Sequence, residues 1–414
     1  MWRGGDYRIK FRLAGLLCLA SLFILFAGCG HSISTSSLDS LDSVDVLELD
    51  SIQAEHDISQ DAQMWADSIM DSMTVEEMVG QLIMPAVYAD DSRSEMRLIR
   101  KYATDCHVGG VVLLKGSTGA ARMIADTLRK LLPAPPFIAI DAEWGLAMRL
   151  EGTPEFPRNG RIAENADETA LFDYGYEVAR ECRELGINMV LGPVLDVLPA
   201  GKRKSGIGSR SFGRDAHRAA NLGVAYAKGI ESGGVMSVAK HFPGHGSADA
   251  DSHKRLPSVA KTREELDAAD LLPFKEYMGN GLRAIMMGHL YVPALDEEEM
   301  PVTVSEKILK TLVRDEMGFQ GLIVTDAMNM AGAEGNTAAD AIMAGADIVL
   351  APANTQEEVM ILTDAVRSGR FPTSQLRDRV GRVLFYKYMT ARENFGHGNI
   401  GNTIEAERII KLLR

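Results

Sequence analysis

From Val79 to Asn354 two hydrophobic patterns alternate along the chain. Short runs dense in Val, Ile, Leu and Met read as strands covered on both faces, because such strands lack the polar alternation of a half-exposed sheet. They are VGQLIMPAVY, GGVVLLKG, PFIAIDAE, INMVLGPVLDV, VMSVAKHF, RAIMMGHLYV, GLIVTDAM and DIVLAPAN. Between them lie stretches of helical length with an amphipathic pattern, among them SEMRLIRKYA, GAARMIADTLRKLL, ETALFDYGYEVARECRELG, AHRAANLGVAYAKGIESGG, REELDAADLLPFKEYM and SEKILKTLVRDEMGF. Eight such strands with interleaved helices predict an α/β fold, a single (β/α)8 TIM-type barrel. An open doubly wound sheet carries the same alternation, and counting strands does not prove closure.

The strands also share a polar feature at their C-terminal ends, where Asp141, Asp196, Lys240, His241, His289 and Asp326 fall. A barrel gathers those ends on one face, the face that carries active sites.

The first residues follow a different pattern. Arg3, Arg8, Lys10 and Arg12 precede the apolar run LAGLLCLASLFILFAG, which ends at Cys29. Basic-then-apolar order is that of a secretory signal, and the run is shorter than the roughly 20 residues that cross a bilayer as a permanent helix. Phe26-Ala27-Gly28-Cys29 resembles a bacterial lipobox, which makes Cys29 the expected lipidation site and places the protein in a bacterial cell envelope, on the periplasmic side or at the outer membrane. Residues 30–62 are rich in Ser and Asp without sustained period and read as a flexible tether. The barrel is expected over 63–392 and a C-terminal tail over 393–414. Cys18 lies in the signal, so Cys106 and Cys182 remain in the folded part, too few for a disulfide framework.

Composition narrows the partners. Of 414 residues, 46% are hydrophobic and 24% charged, ordinary globular values that exclude disorder for most of the chain. A net charge of −13 without a long basic run suggests neither a nucleic-acid groove nor a polybasic membrane patch. A small or neutral ligand is expected, bound by a monomer that needs no cofactor.

Two segments carry the chemistry. KHFPGHGSADADSHKRLP, residues 240–257, follows a strand and is too rich in Gly, Pro and Asp for a helix, so it forms a loop over the barrel mouth. His241, His245 and His253 with Asp249 and Asp251 raise the alternative of a metal site, but their spacing lacks the compact ligand pairs such sites use, and no metal is expected. In GLIVTDAMNM, Asp326 ends a buried strand, an expensive place for a carboxylate unless it is paired or used. A carboxylate on a rigid strand facing a proton donor on a loop is the pair that retaining glycoside hydrolysis requires.

From about Trp65 to about residue 390 the chain resembles glycoside hydrolase family 3, in its N-acetylglucosaminidase (β-N-acetylhexosaminidase) branch. The motifs are WADSIMDSMTVEEMVGQLIMPAVY, IDAEWGLAMR, GPVLDV, GSRSFGRDA, KHFPGHG with the following DSH, and VTDAMNM. The resemblance implies that Asp326 is the nucleophile, His253 the acid/base and Asp251 its orienting partner. It implies that Asp141, Arg149, Arg210, Lys240 and His241 hold the terminal sugar. The expected partners are N-acetylglucosamine-containing oligosaccharides or peptidoglycan fragments, and a membrane through the lipid anchor. A β-glucosidase or β-xylosidase of the same family is the runner-up; a sugar-binding lipoprotein that lost catalysis should lack one of Asp326, His253 and Asp251, which are all present.

Histidine as acid/base has a physical logic: unperturbed, it titrates near pH ~6.5, so both forms are available without heavy desolvation. After donating its proton it is neutral and does not repel an anionic acceptor, so phosphate is an expected competitor of water. Three features depart from the family pattern. AEWGLAM stands where many members have a second Gly and an Arg, AGKRKSGIG replaces an Asn-Pro-rich turn, and no sandwich domain follows the barrel. The last departure fits the N-acetylglucosaminidase branch. Lys202, Arg203 and Lys204 read as a solvated loop in preference to an electropositive subsite. Should His253 prove structural, His289, Asp251 and Glu143 are the next candidates for the acid/base.

Overall fold

A computed structural model describes residues 57–201, 205–391 and 404–413. The expected signal, lipidation site Cys29, most of the tether, and Lys202 to Lys204 lie outside the described residues. Contacts divide the chain after Gln60, and the folded unit is Asp61–Arg414.

Its strands, in chain order, are β1 (Ile83–Met84), β2 (Ala86–Ala89), β3 (Gly110–Ser117), β4 (Phe137–Ile140), β5 (Leu150–Glu151), β6 (Met189–Val190), β7 (Met236–Ser237), β8 (Ala239–Phe242), β9 (Ala284–Met287), β10 (Leu322–Thr325) and β11 (Val349–Leu350). Every ladder is parallel. β2 pairs β3, β3 pairs β4, β4 pairs β6 and β6 pairs β7, while β8 pairs β9 and β9 pairs β10. Pro85 separates β1 from β2 and Val238 separates β7 from β8, so each pair forms one interrupted strand. β10 touches the β11 segment through a parallel Val324–Ile348 bridge, and β11 pairs β1. The ladders thus run in sequence order and return to their start, a TIM-barrel-like arrangement with β5 added beside β3.

β4, β8, β9 and β10 are buried along their whole length, as the unbroken apolar runs require. Outside them pack Arg93–Asp105, Thr118–Leu131, Glu168–Glu184, Ala216–Ser232, Leu272–Gly279, Lys307–Glu316 and Thr355–Arg367. Most start where a Ser, Thr, Asp or Asn side chain accepts an orphan N–H: Asp215 takes those of His217 and Arg218, and Asn354 that of Glu357. Glu168–Glu184 and Ala216–Ser232 cross closely, since a Cβ on Gly175 would lie 2.1 Å from the Tyr226 carbonyl oxygen and one on Gly229 2.1 Å from that of Phe172.

The strands are shorter than the sequence pattern predicts. Val79 and Gly80 end a helix, Val75–Gly80, started by a reciprocal Thr74–Glu77 cap, so the first strand begins only at Ile83. In the fourth run only Met189–Val190 joins a ladder, because Gly192–Pro193 follows and proline has no N–H to give. Cys106 and Cys182 are both buried free thiols. The tail contributes a helix, Ile404–Leu412, whose Ala406 and Ile409 join the apolar cluster around Tyr174 and Val178.

Candidate active site

The C-terminal ends of the strands surround a cavity of about 420 Å³. Asp141, Arg149, Arg210, Lys240, His241, Asp251, His253 and Asp326 all line it, so every residue predicted to act at the site is brought to one place. A second cavity of similar volume lies outside the barrel, lined by residues of the outer helices such as Phe172 and Lys228. It contains none of the strand-end residues.

Asp141 leaves the end of β4 and Lys240 lies in β8. The Lys240 ammonium donates to Asp141 Oδ1 at 2.7 Å and meets Glu143 Oε1 at 2.8 Å. The second oxygen of Asp141 receives the Arg149 guanidinium. Arg210 grips Glu143 with two parallel bonds, Nε to Oε2 at 2.8 Å and Nη2 to Oε1 at 2.7 Å. The result is an alternating chain of two carboxylates and three cations. Burial pushes the Asp141 carboxyl up, but Lys240 and Arg149 outweigh it and hold it well below the usual carboxylate range. Burial likewise pushes Glu143 up, and Lys240 and Arg210 bring it down to about 2. Burial opposes the Lys240 charge, yet the same two carboxylates raise its pKa.

Glu143 belongs to this network as fully as Asp141 does, and it is ionised and doubly held, which makes it a poor proton donor. The sequence offered one signal for it: it stands two residues after Asp141, on the same side of the extended segment leaving β4.

A second network lies beside the first. Asp196 Oδ1 accepts the backbone N–H groups of His241 at 3.2 Å and His245 at 2.6 Å, and Oδ2 lies 2.7 Å from His241 Nδ1. Burial works against its charge, but His241 prevails and the carboxyl falls to about 2. An ionised Asp196 can only accept, so His241 carries a proton on Nδ1 and Nε2 is left for a ligand. His289 is engaged at both nitrogens, Nδ1 with Thr303 Oγ1 at 3.0 Å and Nε2 with the Ala327 carbonyl at 3.0 Å. Burial lowers its pKa and keeps it neutral.

Asp326 follows β10, and its Oδ1 accepts the Ala327 N–H at 2.8 Å. Burial pushes its carboxyl up, but His241, His289, the Ala327 N–H and Lys240 together bring it below its ordinary value. It is therefore a carboxylate at neutral pH, on a backbone that His289 fixes through Ala327.

The loop lines the same cavity. Asp251 Oδ1 accepts both the backbone N–H of His253 at 3.0 Å and the contact with its Nδ1 at 2.9 Å. These bonds lower the Asp251 pKa. The His253 side chain is 68% exposed and that of Asp251 44%, against 3% for Lys240, so this is the most water-exposed ion pair of the site. A neutral His253 then holds its hydrogen on Nδ1 and has Nε2 open for proton exchange.

Doubly bonded charges, an ionised carboxylate at a strand end and an imidazole on a loop line one cavity at the C-terminal end of the strands. Residues 74–385 match the family described as "Glycosyl hydrolase family 3 N terminal domain". The chain belongs to glycoside hydrolase family 3, and it is a glycoside hydrolase. A β-hexosaminidase of Neisseria gonorrhoeae (strain ATCC 700825 / FA 1090) is 34% identical over 71% of this chain and 81% of its own length. A "Beta-N-acetylglucosaminidase/beta-glucosidase" of Cellulomonas fimi is 28% identical over 82% of this chain, which spans only 62% of that protein. Among solved structures, a family 3 β-N-acetylglucosaminidase from Paenibacillus sp. str. FPU-7 is similar with TM-score 0.76 and 31% identity, covering 83% of this chain and 68% of that one.

Proposed function

We propose that the chain is a retaining exo-glycosidase that releases terminal β-N-acetylglucosamine. One observation carries the mechanism: Asp326, His253 and Asp251 line the same cavity as the Asp141, Arg149, Arg210, Lys240 and His241 set. Asp326 attacks the anomeric carbon while His253 gives the proton on Nε2 to the departing oxygen. The sugar is then an ester of Asp326. The neutral His253 takes a proton from the entering water, which attacks the same carbon and releases Asp326, so the configuration is retained. Asp251 on Nδ1 fixes the tautomer of the neutral imidazole between the two steps and supports the imidazolium before the first and after the second. The substrate reading is supported by relatives named as hexosaminidases and N-acetylglucosaminidases. The ionic network supplies fixed donors and acceptors for ring hydroxyls and the N-acetyl oxygen.

Purified protein should hydrolyse nitrophenyl β-N-acetylglucosaminide at least about tenfold more efficiently than nitrophenyl β-glucoside or β-xyloside, a gap of about 1.4 kcal/mol. A preference for the glucoside would overturn the substrate assignment.

A further inference from the structure

The dyad poses a mechanical question, because a proton donor must be aimed to within a fraction of an ångström, yet Asp251 and His253 are exposed. The residue between them is not. Ser252 is 3% exposed and is held on two sides. Its Oγ lies 3.1 Å from His245 Nε2, and its carbonyl accepts the Gly332 N–H at 2.9 Å.

Both holders are fixed to the barrel. The His245 backbone N–H is donated to Asp196, the same carboxylate that orients His241. Gly332 lies in the turn that follows Asp326, and a Cβ there would come within 2.9 Å of His289 Cβ and 3.0 Å of the Ser252 carbonyl oxygen. That turn therefore rests directly on both Ser252 and His289. On the loop side, Asp251, Ser252, His253 and Lys254 form a single turn, with Lys254 N–H donated to the Asp251 carbonyl at 2.9 Å and the Asp251 side chain bonded twice to His253. A turn so braced moves as a unit, and its attachment decides where the imidazole points.

We propose that Ser252 is a positioning residue: seated between His245 and Gly332, it is the pivot that aims the Asp251–His253 pair at the bond to be broken and ties it to the turn carrying Asp326. The inference rests on the reading of His253 as acid/base. Removing the Ser252 hydroxyl leaves the dyad intact but loosens its aim. The loss should then fall on the steps that need proton transfer and spare attack by Asp326.

The test compares wild type, Ser252→Ala, Ser252→Thr and His253→Ala on an activated nitrophenyl N-acetylglucosaminide and on an unactivated disaccharide. His253→Ala should lose far more on the disaccharide than on the nitrophenyl substrate, with azide restoring turnover as a glycosyl azide. Ser252→Ala should show the same selectivity in milder form, about 10- to 100-fold on the disaccharide and under fivefold in the first turnover of the nitrophenyl substrate. Ser252→Thr, which keeps the hydroxyl, should recover most of it. His245→Phe removes the same bond from the other end, and the double variant should be no worse than the more impaired single one. A Ser252→Ala variant equally impaired on both substrates, beside a selective His253→Ala, would overturn the pivot. An unselective His253→Ala, unaffected by azide, would overturn the acid/base reading and the pivot with it.

Discussion

Glu181 should make the protein less stable as pH rises toward 8. It lies in Glu168–Glu184, fully buried, and neither carboxyl oxygen has a hydrogen-bond partner. The nearby guanidinium is taken: Arg180 holds Glu177 through Nε and Nη2, both at 2.8 Å, and pairs its Nη1 with Glu184. Burial, reinforced by the neighbouring Glu177 charge, pushes Glu181 from 4.5 to about 8. The sign follows directly. An unfolded chain releases this proton near 4.5, whereas the folded chain keeps it until about 8, so between those values the folded state binds the extra proton and loses stability as pH increases. At about 1.4 kcal/mol per unit, the loss is on the order of 2 kcal/mol at pH 6 and 3 kcal/mol at pH 7. Glu181→Gln keeps the shape and cannot ionise. Urea midpoints for both proteins across pH 4.5 to 8 should nearly coincide at the acid end and then diverge in favour of the variant. Parallel curves would show that Glu181 is ionised in the fold and has a cation or solvent that the static arrangement does not provide.

Asp326→Asn should lower turnover by at least about four decades with the fold retained, because an amide cannot form the proposed glycosyl ester. Mass spectrometry after a slow fluorinated substrate should place the sugar on the peptide containing Asp326, and a label on Asp141 or Asp251 would refute it. Lys240→Met leaves Asp141 and Glu143 without their shared ammonium and should cost about 3–5 kcal/mol of stability, read by urea denaturation, as for other buried pairs stripped of one partner; an unchanged midpoint would show the cluster to be well solvated. We also propose the lipid anchor: wild type should partition into detergent and Cys29→Ser should not, since acyl chains contribute roughly 0.8 kcal/mol per buried methylene. Equal partitioning would exclude it.

The strand order was legible because each buried parallel strand writes a continuous apolar run, and Asp141, Lys240, His241 and Asp326 were legible because they interrupt such runs at the same end. Strand lengths were not. The run from Val79 is apolar through both a helix end and a strand, and only the Thr74–Glu77 cap tells where one stops. Glu143 was raised only as a fallback proton donor, His245 only as a possible metal ligand and Ser252 not at all, for another reason. Their importance comes from partners such as Arg210 and Gly332, distant in sequence and brought near only by closure of the barrel. Single positions read along a chain reveal residue chemistry; they do not reveal which charges will be shared.

That sharing divides the site into two halves with opposite physical needs. The half proposed to hold the sugar is buried and ionic, an arrangement that costs more in desolvation than an apolar filling would and so is poorly explained by stability alone. It suits a neutral polyol: the two carboxylates offset two of the three cations, and incoming hydroxyls meet strong fixed dipoles without adding charge. The proton-transfer half cannot be built the same way. His245 and His289 show what burial does to an imidazole here, lowering its pKa, and at His289 both nitrogens are occupied as well. An imidazole that must hold a proton in one step and accept one in the next has to remain in contact with water, as His253 does. Exposure leaves its ring open to proton exchange but loosens its aim. A single buried serine within an exposed turn reconciles the two, since it fixes direction through the backbone while leaving the ring in solvent.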